Sequence, residues 1–128
     1  PIESDRDIIN AAHDLLDRGI TLVVATLGDR GLWALSRSEA YFAPPLPVEA
    51  INTAGAGDAL VAGIATGIAR GWHWKRGLRL GIAAAAAVCL TRGTAVCHRA
   101  DVERLLGQVE ILPIESANQG PSDRMQRG

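Results

Sequence analysis

Near the start of the chain apolar residues recur at helical spacing. Ile8, Ile9, Ala11, Ala12, Leu15 and Leu16 share one face of residues 5–18, with Asp7, Asn10, Asp14 and Asp17 elsewhere. This predicts an amphipathic helix. Ser4 or Asp5 can cap its start, and Gly19 stands where a helix ends. Residues 21–27 then form an apolar, β-branched run without alternation. That pattern predicts a strand buried on both faces of a parallel sheet. A helix followed by such a strand is half of a βαβ unit.

Gly28-Asp29-Arg30-Gly31 breaks the run. Residues 32–35 and 39–43 read as two short strands around Ser36-Arg37-Ser38, a hairpin. Pro44-Pro45-Leu46-Pro47 forces an extended crossing, and residues 48–51 can form a last short strand. After the glycine-rich turn Thr53-Ala54-Gly55-Ala56-Gly57-Asp58, residues 59–70 are small and apolar almost all round. This predicts a fully buried helix. Residues 74–90 predict a second helix, rich in alanine, and residues 100–106 a short amphipathic one. From Ser116 the composition turns polar, and 116–128 is expected to be a disordered tail behind a domain over 1–115.

The composition narrows the function classes. The chain has 128 residues, 48% of them hydrophobic, which suits one globular domain. Its 13 basic and 14 acidic residues give a net charge of −1. That balance provides no electrostatic footprint for nucleic acid or an anionic membrane. No apolar run reaches the ~18 residues of a membrane span. Two cysteines are too few for a disulfide scaffold, and no signal-peptide pattern opens the sequence, so a cytoplasmic setting is expected. The first residue is Pro1 rather than Met, which suggests a piece of a longer protein.

The glycine turn carries the clearest chemistry. Gly55, Ala56 and Gly57 keep side chains away, so backbone N–H groups can converge just before a helix. First-turn N–H groups lack internal partners, and the helix dipole adds positive charge there. Together they suit phosphate. The turn is no Walker P-loop, because it ends in Asp58 rather than Lys-Ser or Lys-Thr. Two readings of Asp58 stay open: an N-cap that stabilises the helix by about 1 kcal/mol, or a general base that takes a proton from an attacking hydroxyl.

Asn52-Thr53-Ala54-Gly55-Ala56-Gly57-Asp58 resembles the second signature of the ribokinase-like carbohydrate kinases, the phosphofructokinase B family. Thr26-Leu27-Gly28-Asp29-Arg30-Gly31 is similar to that family's nucleotide loop at a strand end. Arg79–Ala84 and Leu90–Cys97 are similar to the nucleotide-pocket helix and loop of its sugar-phosphate branch. The resemblance covers residues 5–113. It implies the C-terminal part of a three-layer α/β/α sandwich that transfers phosphate from ATP, with Mg²⁺, to a hydroxyl of a sugar phosphate. Fructose 1-phosphate, fructose 6-phosphate and tagatose 6-phosphate are the implied substrates. Asp58 matches the catalytic base, and Gly55, Ala56 and Gly57 the anion hole. Thr26, Gly28 and Gly31 match the loop along ATP, and Ile82 and Ala86 the helix lining the adenine. A homodimer of the full-length protein is a further implication. Alternatives are a nucleotide-binding module without catalysis, or a ribose or nucleoside kinase of the same family.

Two departures stand out. Asn52 occupies a position where many members of the family have an Asp that helps hold a monovalent cation, so potassium activation is not implied here. The family's Asn-x-x-Glu segment, which organises magnesium, and its sugar-binding residues find no match between Pro1 and Thr21. The chain is therefore expected to be the C-terminal part of a kinase about twice this long or more, and inactive alone. Cys89, Cys97 and His98 match no zinc spacing, so no protein metal site is expected. Trp33 is expected to pack in the interior, Trp72 and Trp74 to cover a helix junction, and Arg92 to meet either a phosphate or solvent.

Overall fold

The first helix starts where its side chains can satisfy its own amides. In the computed structural model, which describes residues 4–93 and 96–114, α1 spans Asp5–Asp17. Ser4 caps it: its Oγ accepts from the Asp7 amide (3.3 Å), and the Asp7 carboxylate accepts from the Ser4 amide (3.2 Å). This capping box satisfies two amides that a helix start leaves open. Ser4→Ala is expected to lower unfolding stability by about 1 kcal/mol. A urea titration would read this as a lower midpoint at unchanged slope; an unchanged midpoint would mean that the box contributes nothing.

The described residues divide into two compact units, 4–45 with 111–114, and 46–110. In the first, β1 (Val23–Thr26), β2 (Leu32–Leu35), β3 (Ala40–Ala43) and β4 (Leu112–Pro113) form one sheet in that order. The hairpin of β2 and β3 lies where the alternation of strand and turn residues predicts it. The Ser36 amide donates to the Glu39 carbonyl (2.8 Å), which closes its turn. Ile8, Ile9, Ala12 and Leu16 of α1 form one buried cluster with Trp33 and Leu35. Trp33 is fully buried, its ring 5.1 Å from that of Phe42.

The β1 run departs from expectation. All three strand pairings among the described residues are antiparallel, with Val23 opposite Leu35 and Thr26 opposite Leu32. Strand β1 is half-buried rather than covered on both faces, because it is an edge strand of the described sheet. An open, mainly apolar groove of about 450 Å³ runs between it and α1, lined by residues such as Ile8, Leu15 and Val24.

The second unit is helical. Helix α2 (Ala56–Ala69) packs on α3 (Trp74–Cys89), and α3 on α4 (Arg99–Leu106). Glycines set the α2–α3 contact. A Cβ on Gly67 would lie 2.8 Å from the Gly77 Cα, one on Gly81 would lie 2.5 Å from the Leu60 carbonyl oxygen, and one on Gly63 would overlap the Gly81 backbone. The two helix backbones therefore touch. Two further expectations fail here. Helix α2 is not fully buried: it buries the Leu60, Gly63 and Gly67 stripe, while Val61 and Ile68 are 65% and 63% exposed. Residues 48–51 form no strand. The prolines before them offer no amide for a ladder, and the Ile51 and Asn52 amides donate instead to the Cys89 carbonyl. The tail over 116–128, together with Thr94 and Ala95 of the Leu90–Cys97 segment, lies outside the described residues.

Candidate active site

The first turn of α2 supplies the most complete constellation. Gly55 is the N-cap and adopts φ +87°, a left-handed conformation that glycine reaches without strain. Ala56, Gly57 and Asp58 follow as the first three helical residues. The Ala56 amide is used within the turn, donating to the Thr53 carbonyl (3.2 Å). Among the described residues, the amides of Gly55, Gly57 and Asp58 make no such bond, and the Ala59 amide is the first to bond back, to the Gly55 carbonyl (3.0 Å). These free amides sit at the positive end of a helix, which favours an anion. Of the three expected anion-hole residues, Gly55 and Gly57 thus keep free donors and Ala56 does not.

Asp58 is not the N-cap. It stands three positions inside the helix start, is exposed, and its carboxylate makes no hydrogen bond or ion pair among the described residues. The capping reading is overturned, because Gly55 holds that place and no side chain caps α2. What is left is an uncommitted carboxylate in the same turn as free amides, able to accept a proton from a group held there.

The turn is set by the residues before it. Asn52 Oδ1 accepts from the Ala54 amide (3.0 Å), and its Nδ2 donates to the Arg92 carbonyl (3.2 Å). Sequence reasoning treated Asn52 only as a departure and missed this part. The available signal was an Asn followed two residues later by a turn amide, an Asx turn.

The expected nucleotide residues fall into two further groups. Thr26 ends β1 and is exposed. Gly28 opens a 3₁₀ turn (Gly28–Arg30) with φ +59°, and a Cβ there would meet nothing within 4 Å. Gly31 has φ +90°, and a Cβ on it would collide with the Ala43 carbonyl and press on the Phe42 ring. Packing within the sheet therefore explains Gly31 by itself. Ile82 and Ala86 are one helical turn apart on α3, sharing a face. Ile82 is buried and Ala86 half-buried. Thr26, Gly28 and Gly31 lie in the first unit; Gly55, Ala56, Gly57, Asp58, Ile82 and Ala86 lie in the second.

The residues set aside find structural roles. His73 caps α3, its Nδ1 accepting from the Lys75 amide (3.0 Å). The Arg76 guanidinium lies 3.9 Å from the centre of the Trp72 ring at the α2–α3 junction. Burial pushes the Cys89 thiol above its ordinary pKa. No helix among the described residues is long and apolar enough to cross a membrane.

Comparison with known proteins bears on this constellation. The sequence profile of the pfkB family of carbohydrate kinases matches residues 1–101. The chain is 47% identical over 95 residues to the ATP-dependent 6-phosphofructokinase isozyme 2 of Mycobacterium tuberculosis, covering 73% of this chain and 28% of that protein. It is 32% identical over 108 residues to the 1-phosphofructokinase of Escherichia coli K12, covering 84% and 35%. A solved structure of phosphofructokinase-2 from Escherichia coli, in complex with potassium, superposes with a TM-score of 0.78 at 27% identity, covering 84% of this chain and 35% of that one. The chain spans about a third of the length of the curated relatives it matches.

Proposed function

The chain belongs to the pfkB family of carbohydrate kinases, with part of a ribokinase-like fold, and on that premise we propose that it forms the catalytic third of a sugar-phosphate kinase. The observation that carries this reading is the first turn of α2, where an uncommitted carboxylate stands beside free amides. In the proposed reaction Asp58 accepts the proton of the acceptor hydroxyl. The hydroxyl oxygen bonds to the γ-phosphorus of ATP as the bond to the bridging oxygen breaks, and ADP leaves. The amides of Gly55 and Gly57 hold the transferring group, where charge shifts during transfer. Thr26 and Gly28 in the first unit are proposed as contacts to nucleotide phosphates, and Ile82 and Ala86 in the second as an apolar, small-residue surface for a base. Gly31 belongs to the same proposed ATP loop, where its φ of +90° suits glycine.

Two further parts of the reading concern what accompanies these residues. Mg²⁺, when bound, neutralises the ATP phosphates. Among the described residues no group of three or more His, Cys, Asp or Glu comes together. In the proposal the ion is held mostly by the ATP phosphates and water. The relatives named as phosphofructokinases favour a fructose phosphate over ribose or a nucleoside. The exposed apolar side chains of Val61 and Ile68 on α2 fit a chain that works as part of a larger polypeptide.

The test is a coupled assay of ADP release. The full-length protein that carries this chain is expected to phosphorylate at least one of fructose 1-phosphate, fructose 6-phosphate and tagatose 6-phosphate. The 128-residue chain alone is expected to release little or no ADP, since catalysis needs both reactants held in line. Nucleotide binding without turnover by the full-length protein would favour a binding module instead. A robust rate from the chain alone would overturn the view that it is one part of the site.

A further inference from the structure

One side chain ties the anion-hole turn to the end of α3. Asn52 bonds on both sides, its Oδ1 accepting from the Ala54 amide and its Nδ2 donating to the Arg92 carbonyl. The amides of Ile51 and Asn52 donate to the Cys89 carbonyl at 2.7 and 3.2 Å. Cys89 is the last residue of α3, so its carbonyl is one that the helix leaves without an internal partner. Thr91 Oγ1 lies within hydrogen-bond distance of the Val88 (3.1 Å) and Val96 (2.6 Å) carbonyls, which shapes the turn that presents Arg92.

Only an amide side chain suits this place. It offers one acceptor to an N–H and one donor to a C=O, whereas a carboxylate offers acceptors alone. With Asp at position 52, the second oxygen would face the Arg92 carbonyl oxygen near the negative end of the α3 dipole. Oxygen against oxygen repels, and a cation between them relieves that repulsion. A carboxylate beside main-chain carbonyls is the ligand set of a hard cation. The Asn52 amide supplies the same bridge from within the chain.

We propose that Asn52 is a positioning residue whose amide bridges the Gly55–Gly57 turn to the Arg92 carbonyl, so that the turn needs no monovalent cation to hold its shape. The kinetic consequence rests on the kinase reading above, and the structural consequence does not.

The experiment compares wild type, Asn52→Asp and Asn52→Ala in KCl and in tetramethylammonium chloride at equal ionic strength. In the full-length enzyme, wild-type turnover is expected to be the same in both salts. Asn52→Asp is expected to lose about fivefold in kcat without potassium, the scale of one intramolecular hydrogen bond, and to recover it in KCl. Asn52→Ala is expected to lose a similar factor in both salts, since it brings no ligand for the ion. The second readout is the thermal midpoint of the full-length protein. Potassium is expected to raise it for Asn52→Asp and to leave wild type unmoved. A wild-type rate or midpoint that rises with potassium overturns the proposal. So does an Asp variant that matches wild type in tetramethylammonium, or one that fails equally in both salts. If no variant, wild type included, phosphorylates any sugar phosphate, the kinase reading fails, and the midpoints alone decide the role of Asn52.

Discussion

Replacing Asp58 with Asn in the full-length enzyme is expected to lower kcat by on the order of 10²–10⁴, the range for loss of a general base. Asn keeps the size and polarity of the side chain but cannot take a proton. Affinity for ATP should change little, because the free amides of Gly55 and Gly57 are backbone groups and stay in place. Stability should change little too. Gly55 caps the helix and Asp58 makes no hydrogen bond, so the fold loses only the attraction between a first-turn carboxylate and the helix dipole, worth about 0.3–1 kcal/mol. The variant should therefore separate chemistry from folding. Measuring kcat and the thermal midpoint on one preparation is the check. Wild-type turnover in the Asn variant would sink the mechanism.

The glycine turn was legible in the sequence because its chemistry is local. Small residues before an apolar helix, ending in an acid, predict free amides and a nearby carboxylate whatever the rest of the chain does. Capping at Ser4 and the hairpin around Ser36-Arg37-Ser38 were legible for the same reason. Burial was not, since it depends on partners distant in sequence. Thr21–Leu27 reads as a strand covered on both faces, yet β1 is half-buried on a sheet edge. Helix α2 reads as buried all round, yet only its glycine stripe is covered. The use of the Ala56 amide by Thr53 was also hidden, because it depends on the φ and ψ of the turn rather than on residue type.

The glycines of α2 and α3 were the clearest signal left unread. Gly63 and Gly67 are four apart, as are Gly77 and Gly81, which places each pair on one face of its helix. The structure sets those faces against each other with backbone in contact. This contact aligns the helix that carries Asp58 with the one that carries Ile82 and Ala86, so it bears on the candidate site as well as on the fold.

Gly63→Ala tests it with opposed signs. In an exposed helix interior the change stabilises by about 1 kcal/mol, because alanine has the higher helix propensity. Here the new methyl would overlap the Gly81 backbone, with the Leu80 carbonyl carbon at 3.0 Å. Backbone cannot swing aside as a side chain tip can, so the helices must separate. Overpacking of this kind costs about 1–3 kcal/mol, occasionally more, and a backbone obstacle puts Gly63 at or above the top of that range. A net loss of about 2 kcal/mol is therefore expected after the propensity gain. Urea unfolding of the 128-residue chain would read it as a lower midpoint, and kcat of the full-length enzyme should fall with it as Asp58 shifts relative to α3. A midpoint that rises instead would show that α2 and α3 are not in backbone contact at Gly63.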